Sequence, residues 1–250
     1  MKRRVIAIVQ ARLESTRLPN KVLLDINGKP MIWHVLNRLS RSKEIDGIVV
    51  AIPKGNPTLH QYLHKYKFIH QRLIRHVLGS PENVLSRYYK AATISNADVI
   101  VRITADCPMI DPKIVDLVVR YFNSHNYSYV CNSSDNKLVY NKVSLSRSNV
   151  NLHTLDGFDV EVFSFFSLCN ANMSAIEKFD LEHVTPYIVR NNSVDIFEYP
   201  KRFIEFHLSV NTEEDLFIIR NIFDKLGNIF SMEDAIKTYC DLKGIIHEVQ

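Results

Sequence analysis

Short, almost wholly apolar runs alternate along this chain with segments of helical period, and that alternation limits the folds open to it. VIAIV at 5–9 and IVVAIP at 48–53 offer no polar face, and DVIVRIT at 98–104 is interrupted only by Arg102. Strands apolar on both sides are covered on both sides, as in parallel sheets flanked by helices. Between the first two runs, MIWHVLNRL carries apolar residues at 31, 32, 35, 36 and 39, the spacing of one helical stripe. Pro30 stands just before it as a first-turn residue, and Pro53 stops the second strand. Strand, helix, strand in this order reads as a parallel unit with a right-handed crossover.

Further along, GSPENVLSRYYKAATISN holds a helix start, with Ser80 as cap and Pro81 in the first turn. Asp111-Pro112 is a second such pair, opening KIVDLVVRYFNSH. From 126 to 160 the composition shifts to Asn, Ser, Tyr and Val, with SSDNK as a turn, and hairpin-like antiparallel strands are expected. GFDVEVFS is expected as a strand with Asp159 and Glu161 on one face, being two apart. Helices are expected near 164–176 and 180–190, then a last strand in IEFHLSV. A final helix starts at Thr212, has three acids in its first turn and ends at Gly227. The expected fold class is α/β, a mostly parallel sheet between helices with a small β excursion. The whole of 1–250 reads as one domain, with 126–160 as its β-rich insertion.

Composition narrows the function. The net charge of 31 − 27 = +4 is mild, and the basic residues are scattered outside the opening loop, so a nucleic-acid surface is not expected. MKRRVIAIVQAR imitates a signal peptide, but its apolar core of five residues is shorter than the roughly 7–15 such a segment needs. No apolar run approaches the roughly 20 residues of a membrane span. Cys107, Cys131, Cys169 and Cys240 form no C-x-x-C pair and read as free thiols of a cytoplasmic protein.

The first strand ends in QARLESTRLPNKVL, where Arg12, Arg17 and Lys21 lie among Ser15 and Thr16. A loop leaving the carboxyl end of such a strand is where doubly wound sheets take ligands. Guanidinium forks and a compact ammonium suit a polyphosphate. A solvated basic turn accounts for the residues equally well. Neither a Walker phosphate loop nor a dinucleotide fingerprint is present.

QARLESTRLPNKVLLDINGKPMIWHVLNRL resembles the opening signature of the 3-deoxy-manno-octulosonate and acylneuraminate cytidylyltransferases, most of all their spore coat polysaccharide biosynthesis relatives. GSPENVLSRYY, VIVRITADCPMIDP, GFDVEVFS with LEHVTPYI, and LSVNTEEDLFIIRNIF agree in order, so the resemblance spans nearly the whole chain. It implies a Rossmann-like three-layer nucleotidyltransferase that activates a sugar or sugar acid, most simply with CMP from CTP, and releases pyrophosphate for surface polysaccharide or glycoconjugate synthesis. A guanylyl- or other nucleotidyltransferase acting on a sugar 1-phosphate is the alternative. A homodimer is also implied, with 126–160 as a contact.

The resemblance assigns residues as well. Arg12, Ser15, Thr16, Arg17 and Lys21 would hold the triphosphate, Ala11 would approach the base, and Gly79, Ser80 and Thr104 would line the nucleotide site. Asp106 would be a Mg²⁺ ligand, with Arg12, Arg17, Lys21 and Asp106 carrying the chemistry. Arg102, Asp159, Glu161, Glu182 and His183 would lie on the acceptor side. A structural ion pair for Arg102, solvated acids for Asp159 and Glu161, and a helix-surface pair for Glu182 and His183 are the simpler readings. Two departures stand out. Asn20 replaces a usual glycine, and Asn tolerates positive φ. Asn211 stands where many relatives carry a second metal-binding Asp, which lowers the expected metal affinity or marks a chain that binds nucleotide without transferring it.

The histidines form a separate group. His60 and His64 are four apart on an expected helix, with His70 and His76 downstream. Paired imidazoles at this spacing can bind zinc. No acid or cysteine completes the set, so surface histidines are the expectation.

Overall fold

A computed structural model of the chain describes residues 2–133, 137–145, 155–201, 203 and 205–245. Its centre is β1, Val5–Gln10, whose first five residues are buried. A basic loop, one 3-10 turn at Lys21–Leu23 and a tiny antiparallel pair, β2 (Asp25–Ile26) and β3 (Lys29–Pro30), lead to α1, Met31–Leu39. β4, Gly47–Pro53, lies parallel on β1. α2, Pro57–Lys65, is capped by the Asn56 side chain, which accepts from the Leu59 N–H. β5 (Phe68–Ile69) and β6 (Arg72–Gly79) follow, β6 parallel on β4 and β5 antiparallel at its edge. α3, Val84–Ile94, then carries the chain back across the sheet to β7, Val99–Thr104, parallel on the other side of β1.

The second half adds α4 (Pro112–Ser124), β8 (Tyr129–Cys131), α5 (Lys137–Ser144), β9 (Glu161–Ser164), α6 (Phe165–Ser174), α7 (Lys178–His183), α8 (Pro186–Asn191), β10 (Val194–Ile196), α9 (Glu213–Leu226) and α10 (Met232–Lys243). The large sheet runs β10-β8-β9-β7-β1-β4-β6-β5, with β9 antiparallel to both neighbours.

Alternation along the central strands builds the layers. Val5, Ala7 and Val9 face a core shared with Leu36, Val115, Ile219 and Ile236, from α1, α4, α9 and α10. Ile6 and Ile8 face a second core with Leu85, Tyr88, Leu168 and Ile188, from α3, α6 and α8. The expected three-layer α/β arrangement is therefore present. Each fully buried Ile or Leu in it contributes about 1.5–3 kcal/mol relative to exposure. Because the chain departs from β1 toward β4 and returns to β7, a crevice opens between the carboxyl ends of β1 and β7. Among the described residues, no helix is long and apolar enough to cross a membrane.

Several local expectations need correction. The 126–160 stretch does pair antiparallel through β8, but with β9 of the main sheet and not as a separate hairpin. Its next described part is α5, where Val139 and Val143, four apart, form a short buried stripe that the Asn- and Ser-rich composition hid. Residues 134–136 of the expected turn, and 146–154, lie outside the described residues. IEFHLSV is not a strand. The N–H groups of Leu208 and Ser209 donate to the Asp156 carboxylate and that of Val210 to the Asp106 carbonyl, replacing a ladder. The 180–190 helix is two short helices parted at Val184, φ 71°, before Pro186, which has no N–H to continue the first. α3 is capped by Asn83, and Ser80 instead accepts the Asn83 N–H one turn earlier. β6 and α10 carried no sequence expectation.

Candidate active site

The crevice between β1 and β7 holds a polar pocket lined by Gln10, Ala11, Arg12, Ser15, Thr16, Arg17, Lys21, Arg87, Thr104, Asp106, Glu182, His183 and Asn211. The basic loop keeps its shape from within. The Asn20 N–H donates to the Leu13 carbonyl at 3.0 Å, and Asn20 itself is left-handed, φ 55° and ψ 21°, as its replacement of glycine required. Buried Leu18 anchors the middle of the loop, and Ser15 Oγ accepts its N–H. The guanidinium of Arg17 and the ammonium of Lys21 are thereby turned inward.

Lys21 Nζ donates to Asp106 Oδ2 at 2.7 Å, to the Val210 carbonyl at 2.8 Å and to Asn211 Oδ1 at 3.2 Å. Arg17 Nη2 donates to the same amide oxygen at 2.9 Å. Burial alone would raise the Asp106 carboxyl. The charge and hydrogen bond of Lys21, with the Thr104 hydroxyl, outweigh burial and hold it below the ordinary carboxylate range. Three hard oxygen donors thus already surround one positive charge. One carboxylate, one amide oxygen and one carbonyl also suit Mg²⁺, which takes one or two protein carboxylates beside phosphate oxygens and water.

A second pocket adjoins the first through Thr104 and Asp106 and is lined also by Arg102, Tyr129, Asn132, Asp156, Asp159 and Glu161. Arg102 forms a buried ion pair with Glu161, whose other oxygen accepts from the Tyr129 hydroxyl at 2.8 Å. The structural ion pair is therefore the arrangement found for Arg102. Asp159 and Glu161 do face one cavity, though only Glu161 belongs to a strand. Asp159 is pushed up to about 7, by burial first and then by the neighbouring charge of Asp156. Glu182 and His183 line the first pocket, and His183 also borders a cleft containing Arg102 and Glu161.

Gly79 and Ser80 act one layer back. A Cβ on Gly79 would lie 2.6 Å from Arg87 Cγ, and the Ser80 carbonyl accepts from Arg87 Nη1 at 2.5 Å. Both hold Arg87, which lines the first pocket and which sequence reasoning missed. Its signal was a cation on the buried face of α3, between Val84 and Tyr88. Gln10 was missed as well. Its Oε1 is buried at the pocket with no hydrogen-bond partner among the described residues.

The sequence profile described as cytidylyltransferase matches residues 6–242. The spore coat polysaccharide biosynthesis protein SpsF of Bacillus subtilis is 29% identical over 237 residues, covering 89% of this chain and 88% of that protein. A solved cytidylyltransferase from Leptospira borgpetersenii serovar Hardjo-bovis matches 99% of this chain and 98% of its own, at 26% identity and a TM-score of 0.81. A CMP:2-keto-3-deoxy-manno-octonic acid synthetase solved with CTP shares the fold, with a TM-score of 0.63 at 19% identity over 89% of this chain and 99% of its own. A nucleotidyltransferase fold, a cationic pocket at its switch point and a family profile over nearly the whole sequence agree: the chain belongs to the cytidylyltransferase family.

Proposed function

We propose that this protein transfers CMP from CTP to an oxygen of a sugar or sugar acid, with release of pyrophosphate, in the synthesis of a surface polysaccharide or glycoconjugate. The observation that carries the reading is the ring of Arg12, Arg17, Lys21 and Arg87 around one pocket, with Asp106 at the border of a second. The CTP-bound neighbour supports the choice of nucleotide. Gln10 Oε1 supports it too, as a free acceptor suited to an exocyclic amino group.

In this mechanism the acceptor oxygen attacks the α-phosphorus in line. The new O–P bond forms as the bond to the β-phosphate oxygen breaks, the pair of electrons leaves with pyrophosphate, and the hydroxyl proton passes to solvent or a pocket carboxylate. Arg12, Arg17 and Lys21, with Ser15 and Thr16, orient the triphosphate and meet the charge that develops on the leaving group. Fixed cations do this without reorganising at the moment of reaction. Asp106 and Asn211 would hold Mg²⁺, which when bound neutralises phosphate charge and polarises the α-phosphate. Among the described residues the second pocket offers Asp106, Asp156, Asp159 and Glu161 against Arg102 alone. Those carboxylates suit the hydroxyls of a sugar, and an acid sugar would have to share Arg102 with Glu161.

Pyrophosphate release is measured with each nucleoside triphosphate, Mg²⁺ and a panel of sugar acceptors. Turnover is expected with CTP, and Lys21→Ala is expected to lower kcat/KM by about 10²–10³. No turnover with any pair, from folded protein, overturns the reading. Asn211 favours a second reading, a nucleotide-binding chain without transfer. In the same assay Asn211→Asp is expected to raise activity at low Mg²⁺. Silence in both forms, with CTP still bound, supports the binding role.

A further inference from the structure

β6 carries Ile74, His76 and Leu78 on one face, two residues apart. Ile74 belongs to the same core as Leu59 and Leu63 of α2, so this face of the strand looks toward that helix. On α2, His60 and His64 follow directly after those two leucines and lie one turn apart. The fold therefore brings a third imidazole to a pair that looked incomplete in the sequence. The ring centroids stand 4.6 Å apart for His60 and His64, 4.8 Å for His60 and His76, and 4.9 Å for His64 and His76. One nitrogen from each ring lies within 4.8 Å of the others, with His64 exposed and His60 and His76 half-buried. None of the three lines either pocket of the active-site crevice.

We propose that His60, His64 and His76 bind one divalent transition-metal ion, zinc foremost, at a site separate from the nucleotide pocket. Three neutral imidazoles suit zinc, and a tetrahedral ion with Zn–N near 2.0–2.1 Å needs its ligand nitrogens only about 3.3 Å apart. Small rotations of rings already in contact supply that closure. Among the described residues the ring nitrogens have no hydrogen-bonded protein partner, so their lone pairs are free. Without ordering carboxylates behind the rings, the site holds its ion more weakly than a buttressed one, by about 10–100-fold. Because His64 is exposed, water would have access to the ion and would fill its fourth position. The ion ties α2 to β6, three residues before Gly79 and the Arg87 that it supports.

The test uses tag-free, chelator-stripped full-length protein titrated with zinc by calorimetry, with thermal melts in parallel. Wild type is expected to take one equivalent and to melt higher with zinc than with chelator. His64→Gln is the decisive variant, because the residue is exposed and its loss is expected to leave the circular dichroism spectrum unchanged. It is expected to weaken zinc at least about 100-fold, since even an outer partner's loss typically costs 10–100-fold. His76→Gln is expected to do the same. His70→Gln serves as the control, because His70 bonds Asn37 Oδ1 at 2.6 Å and stands apart from the cluster. Wild type that takes no zinc, or folded His64→Gln that binds as tightly as wild type, overturns the proposal.

Discussion

Asp159 sits in the second pocket with its proton hard to remove, and this couples the pocket to folding. Its native pKa of about 7 lies above the ordinary 3.8, through burial and then Asp156. Below the ordinary value both folded and unfolded chains carry the proton, so nothing is lost. Between about 3.8 and about 7 the unfolded chain ionises and the folded one does not, so stability falls as pH rises through that window. Asp159→Asn removes the ionisation and keeps an oxygen for the Gly157 N–H, which now donates to Asp159 Oδ2 at 3.1 Å. The melting temperature of the variant relative to wild type is expected to climb from pH 4 to pH 7 and then level, measured by thermal melts across that range. A difference independent of pH would contradict it. At this scale the sequence exposed the cations of the first pocket well, because Arg12, Arg17 and Lys21 cluster within ten residues. It could not expose Arg87, which reaches the same pocket from a helix 66 positions after Lys21.

Elements whose burial is uniform were the readable ones. β1, β4 and β7 are covered on both faces and announce themselves as apolar runs, while α1 carries a clean stripe and α4 and α9 carry stripes with side-chain caps. β6 was hidden because Arg75 and His76 break its apolar run near the sheet edge, where one flank is covered only by β5. The segment after 204 misled in the opposite direction: it alternates like a strand, but a carboxylate and a loop carbonyl take its N–H groups. The turn at Gly157 keeps it in place. Gly157 has φ 86°, and a Cβ there would lie 2.5 Å from the Leu208 carbonyl carbon. Gly157→Ala is therefore expected to cost about 2–5 kcal/mol, summing left-handed strain and overpacking. Gly28→Ala, at φ 76° with nothing within 4 Å, is expected to lose only about 1–2 kcal/mol. Urea denaturation of both variants checks the contrast, and equal costs would refute it.

Across the whole molecule, apolar surface is unevenly distributed. Phe166 is 72% exposed, Met173 75%, Ile176 85% and Phe179 55%, all on α6, α7 or the turn between them, and Leu145 just beyond α5 is 89% exposed. Phe68, Phe217 and Ile229 are exposed elsewhere, so the run on α6 and α7 stands out only by its density along the chain. A homodimer of 2 × 29.0 = 58 kDa is the expected state by light scattering, and Ile176→Glu with Phe166→Glu is expected to halve the mass. A wild-type mass of one chain would exclude it. The layered α/β plan was legible at this scale, since strand and helix periods dictate it. The resemblance implied a contact at 126–160, and of these exposed groups only Leu145 lies in that stretch.

Arg17 and Lys21 meet Val210 and Asn211 across separations of 189 to 194 residues. A polypeptide emerging during translation therefore has its basic loop, and the Asp106 carboxylate that pairs with Lys21, long before the neutral oxygens that complete the set. Truncation between Asp106 and that late segment leaves a fragment in which Lys21 keeps its carboxylate but Arg17 loses the amide oxygen that aims it.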